Sequence, residues 1–214
     1  MLLFFFACSS PGTDGIRTGD LLFCGYQEAP GGFTAAGAIA ASTGGFVHVA
    51  ILEVRGDSTW VIDATMKRGV ARYPLDTLLH DYLPADGLVP VLVVKRLREG
   101  FREEFIERAK SFVGAPYDYF FMPDNGKMYC SELVQECYRG PAGEYLFDSK
   151  PMNFKDSDGR FPAYWLQLYA GLGEPVPQDM PGTNPQDMSE SPLLEDVPMP
   201  VPGRFSVSKV AHPD

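Results

Sequence analysis

Cys130 stands where a run of turn-forming residues gives way to an apolar pattern of helical spacing, in the stretch Tyr129-Cys-Ser-Glu-Leu-Val134. A helix N-terminus carries partial positive charge and unpaired N–H groups. These stabilise a thiolate and lower a cysteine pKa from about 8.5 toward the range of reactive cysteines. The same N–H groups can hold the oxyanion of an acyl transition state. Cys130 is therefore our candidate nucleophile. The other interpretation is a buried apolar cysteine, which we favour for Cys24 and Cys137.

His48 is the candidate base, in the strand pattern Phe46-Val-His-Val-Ala-Ile51, and Asp63 follows in the next strand pattern. A tight turn at Arg55-Gly56 would place His48 directly opposite Asp63, about 5 Å apart at Cβ and on one face. A loop two residues longer would make the pair diagonal, still on one face. A carboxylate beside a histidine fixes its tautomer and stabilises the imidazolium. The alternatives without catalysis are a core histidine whose hydrogen bonds are met by its neighbours, and an aspartate that contacts solvent at the end of a strand.

The remaining histidines and cysteines do not form a second constellation. His80 lies on a predicted helix and is typical of a surface histidine, while His212 is in the terminal tail. Neither has a placed carboxylate that would orient it as well as Asp63 orients His48. The four cysteines show no C-x-x-C spacing or zinc-like pairing with histidine, so we expect no metal and no disulfide framework.

The elements that must position these groups are strands followed by helices. Apolar and β-branched runs predict strands over 19–24, 46–54, 60–65, 69–73 and 89–97, and helical periodicity predicts helices over 33–42, 101–113 and 131–138. Strands with helices before and after them predict an α+β fold, a mostly antiparallel sheet with helices on one side.

We divide the chain into three parts. Residues 1–14 are an apolar leader and residues 15–172 are the predicted catalytic domain. Residues 173–214 form a C-terminal segment whose part 173–203 holds eight of the 19 prolines, six acidic residues and no Lys or Arg. Its composition is compatible with disorder. We favour an extended segment packed on the domain, because Leu193, Leu194, Val197 and Met199 are apolar.

The composition restricts the partners. Hydrophobic residues make up 45% and charged residues 21%, which is typical of a globular chain, and the formal charge is −10. A strongly acidic chain is a poor electrostatic partner for nucleic acid or an anionic membrane surface. No run approaches the ~20 apolar residues of a membrane helix.

The start of the chain, Met1-Leu-Leu-Phe-Phe-Phe-Ala-Cys8-Ser, looks like the end of a bacterial lipoprotein signal, in which the cysteine after a small residue is lipidated. It departs from such signals in having no basic residue ahead of a short apolar run. The alternative is an ordinary apolar tail with a chance cysteine. We predict lipidation at Cys8, so that any membrane attachment is through that anchor alone.

The chain resembles NlpC/P60 cysteine peptidases in two segments, Gly114-Ala-Pro-Tyr117 and the later Tyr129-Cys130-Ser131. In that family the histidine follows the cysteine, whereas here the histidine comes first. That order resembles the circularly permuted, papain-like YiiX/YebB-like (YaeF/YiiX) family. The matching pieces lie within residues 16–170: Gly19-Asp-Leu-Leu-Phe23, His48-Val-Ala-Ile51, Val61-Ile-Asp-Ala64 and Cys130-Ser-Glu-Leu133.

The resemblance implies the permuted papain-like fold, a sheet or small barrel against helices, with a triad of Cys130, His48 and an acidic third residue, here Asp63. It implies an oxyanion or substrate contact at Tyr117, for which the alternative is an aromatic packed against the helix. We add Ser131 and Glu132 to that oxyanion and substrate-binding set. The family has aspartate where this chain has Tyr129 and glycine where it has Glu132. Substrate specificity is therefore not carried over.

These residues predict a thiol hydrolase of amide or peptide bonds that works through an acyl-enzyme without metal or cofactor. With the leader, the resemblance implies a periplasm-facing bacterial envelope location and a peptidoglycan-derived peptide substrate. Two alternatives stay open. One is a lecithin:retinol acyltransferase-like acyltransferase or lipid esterase, with Phe120, Phe121 and Met122 lining an apolar groove. The other is a non-catalytic ligand-binding module.

Overall fold

The computed structural model describes residues 15–28, 30–82, 88–123 and 125–198. The predicted leader with Cys8 lies outside these residues, and so does His212.

A six-stranded antiparallel sheet forms the centre of the fold, in the order β4-β3-β2-β1-β5-β8. Its strands are β1 Leu21–Tyr26, β2 His48–Arg55, β3 Ser58–Thr65, β4 Gly69–Pro74, β5 Pro90–Leu97 and β8 Leu194–Asp196; β6 Lys150–Pro151 and β7 Pro181–Gly182 make a separate pair. All five predicted strands are present, with bounds that differ from the prediction by at most two residues.

The described ranges contain six helices: α1 Ala35–Thr43, α2 Leu75–Asp81, α3 Glu103–Ser111, α4 Cys130–Cys137, α5 Ala163–Leu172 and α6 Pro185–Ser189. The predicted helices over 33–42, 101–113 and 131–138 correspond to α1, α3 and α4, and the helix predicted around His80 is α2. In the described residues the longest helix has 10 residues, and no helix has the length and apolar character needed to cross a bilayer.

The sheet is apolar on both faces, because alternate strand residues enter two separate clusters. Leu21 and Phe23 of β1 pack in the larger cluster, with residues of α3, α4 and α5. Leu22 and Cys24 pack in the smaller one, with Leu75 and other residues of α2. The prediction that helices cover only one side is therefore wrong, since α2 covers the second face. A central strand buried on both faces needs a continuous apolar run, and β1 has one.

The Gly19-Asp20 motif fixes the start of β1 to its neighbours. Asp20 is buried and accepts hydrogen bonds from Arg96 of β5 on both carboxylate oxygens, at 2.7 Å each. Gly19 has a φ of 88°, and a Cβ at this position would overlap the ring of Phe101. Its carbonyl accepts the phenolic hydrogen of Tyr138, at 2.9 Å. The motif thus joins the sheet to the α3–α4 layer.

The described part of the acidic C-terminal segment joins the sheet and the helix layer. β8 pairs with β5, Leu194↔Leu97, and covers the edge of the sheet. Met188, Leu194 and Val197 are buried, whereas Leu193 is 40% exposed. β7 pairs with β6, and α6 follows directly. This path brings Thr183 and Asn184 to the start of α4.

Candidate active site

Cys130 is the first residue of α4, with Tyr129 as the N-cap residue. Its side chain is largely covered, and the residue is 7% exposed. The carboxylate of Glu132 accepts the backbone N–H of Tyr129 at 3.2 Å, which stabilises the first turn of the helix. Glu132 was predicted to contact substrate. The bond gives its carboxylate a helix-capping role, and Glu132 is absent from the lining of the cavity beside Cys130.

His48 and Asp63 are in direct contact, with 2.8 Å between Nε2 and Oδ2. The predicted register was wrong by two residues. Arg55 pairs with Ser58, so the two-residue loop is Gly56-Asp57, and His48 is diagonal to Asp63 instead of opposite it. Gly56 adopts a φ of 57° at the first loop position, where hairpins favour glycine. A shift of two residues keeps both side chains on one face, so the contact survives.

The environment of His48 favours the protonated ring. Burial by itself lowers the pKa of His48, but hydrogen bonds with Asp63 and Cys130 and the charges of both partners raise that pKa from 6.5 to about 10. His48 is 6% exposed, and its ring lies beside the Tyr82 ring, with 5.9 Å between ring centroids. Both His48 and Cys130 are thus shielded from bulk water.

Asp63 is held by a second donor that the sequence did not reveal. The phenolic O–H of Tyr73 donates to the same Oδ2 at 2.8 Å, while Oδ1 is buried without a hydrogen-bond partner among the described groups. Burial and the charge of Asp63 raise the pKa of Tyr73, which keeps the phenol a donor. Arg68 stacks over the Tyr73 ring at 4.6 Å and binds Asp81. A cavity of about 360 Å³ opens beside this group.

Tyr117 is buried and lines a smaller cavity of about 50 Å³ together with Cys130. Its loop is organised by Asp118, a fully buried residue that sequence reasoning missed. The Asp118 carboxylate accepts the backbone N–H groups of Phe120 and Met122, at 2.8 Å each. Phe121, between them, is held at a φ of 51°, an uncommon conformation for a bulky residue. Burial raises the pKa of Tyr117 well above its usual value, so its hydroxyl stays neutral.

Ser131 lines the same cavity and is fully buried. Cys24 and Cys137 are free and buried, and burial raises the pKa of both thiols. His80 is exposed on α2. Among the described residues, no group of three or more His, Cys, Asp and Glu side chains is arranged to hold a metal ion.

Comparisons with known proteins agree with this architecture. The chain is 26% identical over 185 residues to the uncharacterised protein YiiX of Escherichia coli K12, covering 85% of each sequence. Its fold is similar to the crystal structure of the metalloprotein YiiX from Escherichia coli O157:H7, with a TM-score of 0.68 and 23% identity. The match covers 88% of this chain and 99% of that one.

The residues that match a known family include the sheet, the helix layer and the candidate site. Residues 15–198 match the family described as permuted papain-like amidase enzymes, YaeF/YiiX, C92. Within that range the histidine of β2 comes before the cysteine of α4, as the resemblance implied. The chain therefore belongs to the YaeF/YiiX (C92) family of permuted papain-like amidases.

Proposed function

We propose that this protein is a thiol hydrolase of amide or peptide bonds, with Cys130 as nucleophile, His48 as acid–base group and Asp63 as the residue that orients His48. The proposal rests on one arrangement: the buried His48 ring contacts Asp63 at 2.8 Å, and Cys130 lies close enough to raise the pKa of the same ring. This is the arrangement that activates a cysteine nucleophile. The family's description as amidases supports the same reaction class.

The reaction begins with transfer of the Cys130 proton to His48. Asp63 occupies Nε2, which leaves Nδ1 of the ring for this exchange. The sulfur then forms a bond to the substrate carbonyl carbon. When the C–N bond breaks, the imidazolium gives its proton to the departing amine. A water molecule next attacks the thioester, its proton passes to His48, and the C–S bond breaks to release a carboxylic acid and restore the ion pair.

The oxyanion of each tetrahedral intermediate lies at the start of α4. The first N–H groups of a helix have no partner within it and are oriented toward its N-terminal end, beside Cys130. The neutral hydroxyl of Tyr117, close to Cys130 in the same cavity wall, is a further donor to this oxyanion. Such donors are worth several kcal/mol, about 2.7–4 for a single one.

The related Escherichia coli structure is described as a metalloprotein, and this raises the question of a metal in the present chain. The described residues offer no group of three or more His, Cys, Asp and Glu side chains with ligand geometry. The donor set does not fit a metal centre, so the proposed mechanism has no metal-dependent step.

Thiol reactivity is the direct test. We expect iodoacetamide to alkylate Cys130 at least tenfold faster than Cys24 and Cys137, because burial raises the pKa of the latter two. Peptide mapping by mass spectrometry would measure the three rates in the full chain. Cys130 labelling no faster than the others would contradict the proposal and favour the non-catalytic binding module.

Measurements of turnover distinguish an amidase from an acyltransferase or esterase. Hydrolysis of N-acetyl-alanyl aminomethylcoumarin should vanish in Cys130→Ala and persist in Cys137→Ala, a matched change two turns along α4. Para-nitrophenyl octanoate, offered in parallel, reports the acyltransferase or esterase alternative. Turnover of the octanoate alone would favour that alternative over the amidase.

We further propose an envelope location through lipidation at Cys8, with peptidoglycan-derived peptides as the natural substrates. The support is the apolar run before Cys8 in the sequence. Incorporation of an alkyne-labelled palmitate in a bacterial host would test it, with Cys8→Ser as the variant that must lose the label. A labelled Cys8→Ser protein would contradict the assignment.

A further inference from the structure

The cavity beside Cys130 has a wall of aromatic and sulfur-containing side chains. Phe121, Phe154 and Trp165 meet edge to face, with ring centroids 5.1–5.9 Å apart, and Met152 lies beside them. Its volume is about 50 Å³. An apolar cavity of ~150 Å³ accepts a benzene ring, so this one has room only for a smaller group.

Two residues that line the same cavity, Ser131 and Thr183, carry buried hydroxyl groups without a regular hydrogen bond to any described group, although the Thr183 side chain lies close enough to the Tyr129 phenol to oppose the rise of its pKa that burial causes. Ser131 Oγ belongs to a fully buried residue next to Cys130, and Thr183 Oγ1 belongs to a residue that is 9% exposed. Buried hydroxyls are normally hydrogen-bonded, because removing them from water without a partner is unfavourable. A serine or threonine hydroxyl both donates and accepts. The pair therefore matches an amide group, which offers an N–H and a C=O.

Thr183 is held in place by groups around the helix start. Its backbone N–H donates to the phenolic oxygen of Tyr129 at 3.1 Å. The residue before Thr183 is Gly182, where a Cβ would overlap the sulfur of Met152. On the other side Asn184 caps α6 by accepting the N–H of Asp187 at 2.8 Å. The backbone of Thr183 is thus fixed beside the start of α4, although it comes from a segment 53 residues beyond Cys130.

We infer that this cavity binds the acyl side of the substrate and selects a small apolar residue, of alanine to valine size, whose amide is hydrogen-bonded by Ser131 and Thr183. The inference rests on the proposed function and narrows its substrate class. A long fatty acyl chain fits neither the volume nor the two hydroxyls. Substrates are therefore aminoacyl or peptidyl amides with a small apolar residue before the cleaved bond.

The experiment is a size series of N-acetyl-aminoacyl aminomethylcoumarins with Gly, Ala, Val, Leu and Phe, together with octanoyl aminomethylcoumarin. We expect kcat/KM for Ala and Val to exceed that for Leu at least tenfold, with Phe and octanoyl lower still. Equal rates across the series, or a preference for Phe or octanoyl, would overturn the inference.

Thr183→Val removes the hydroxyl at nearly constant volume and should lower kcat/KM for the alanyl substrate about tenfold, while Thr183→Ser retains it. Ile39→Ala, in the cavity wall on α1, should raise the Leu-to-Ala ratio of kcat/KM. A Thr183→Val enzyme that matches the parent, with no change of preference in Ile39→Ala, would overturn the pocket assignment. Iodoacetamide labelling keeps the two proposals apart: fast labelling of Cys130 without size selection would leave the thiol hydrolase standing and remove only this inference.

Discussion

The imidazole of His48 and the carboxylate of Asp63 meet at 2.8 Å across a diagonal of the β2–β3 ladder. Diagonal neighbours are farther apart at Cβ than directly opposed ones, and a histidine is long enough to close the gap. The contact depends on Tyr73 as well, because Oδ2 of Asp63 accepts from both donors while Oδ1 has no partner within the part of the chain that the structure describes.

Asp63→Asn should lower kcat on the order of 100-fold, since the amide no longer stabilises the imidazolium. Steady-state kinetics measure this effect.

Asp63→Asn should also change the way in which the free energy of unfolding depends on pH. The pKa of His48 is raised from 6.5 to about 10 in the folded protein, so its contribution is complete below pH 6.5 and is lost as pH rises through about 10. Urea unfolding between pH 5.5 and 10 should show a parent-to-variant difference that shrinks as pH rises. Asp57→Asn, exposed in the same hairpin, is the control; a pH-independent difference would contradict the assignment.

Tyr73→Phe should lower kcat about tenfold and destabilise the fold by about 1.5–3 kcal/mol. The reason is that the buried carboxylate of Asp63 loses the phenolic O–H that donates to it. Steady-state kinetics and chemical denaturation measure the two effects. Tyr145→Phe removes a phenol that donates to Glu136 at the surface and should leave kcat unchanged. Equal kcat values for Tyr73→Phe and the parent would show that Tyr73 does not position Asp63.

Tyr129→Phe should raise KM for small aminoacyl amides more than it lowers kcat. The change removes the acceptor of the Thr183 N–H, at 3.1 Å, and leaves Cys130 at the start of its helix. Loss of one buried hydrogen bond should reduce stability by about 1 kcal/mol. Substrate-saturation curves separate the two kinetic constants. A fall in kcat at constant KM would mean that Tyr129 acts on the reacting groups and not through the Thr183 segment.

Glu53→Gln should destabilise the sheet by about 2 kcal/mol at neutral pH. Glu53 is buried on β2 and binds Arg55, Arg72 and Lys110, at 2.7, 2.6 and 2.9 Å. Burial alone raises the pKa of Glu53, but these partners lower it from 4.5 to about 2. Its contribution is therefore present above pH 4.5 and is lost as pH falls toward 2.

Denaturant unfolding of Glu53→Gln from pH 7 to pH 2.5 checks this prediction. The difference in free energy of unfolding between the parent and Glu53→Gln should become smaller across the acidic part of the range. Glu195→Gln, at an exposed surface pair, should cost less than 1 kcal/mol. A gap that stays constant down to pH 2.5 would contradict the assignment.

Local patterns were sufficient to predict much of this arrangement. The five strands follow from apolar alternation and the position of Cys130 from a loop-to-helix boundary, and both signals lie within a few residues. The common face of His48 and Asp63 follows from the two-residue period of a strand. Tyr73 and Thr183 could not be found this way, because each acts on a group brought near by folding.

The sequence by itself determined the elements, their order and the types of groups that could react, because helix ends, strand parity and hairpin loops depend on neighbouring residues. Only the tertiary structure decided the diagonal contact, the second helix-covered face and the return of Thr183 to the start of α4. These depend on packing between segments far apart in the chain, where many pairings satisfy the same local pattern and the filled core selects one.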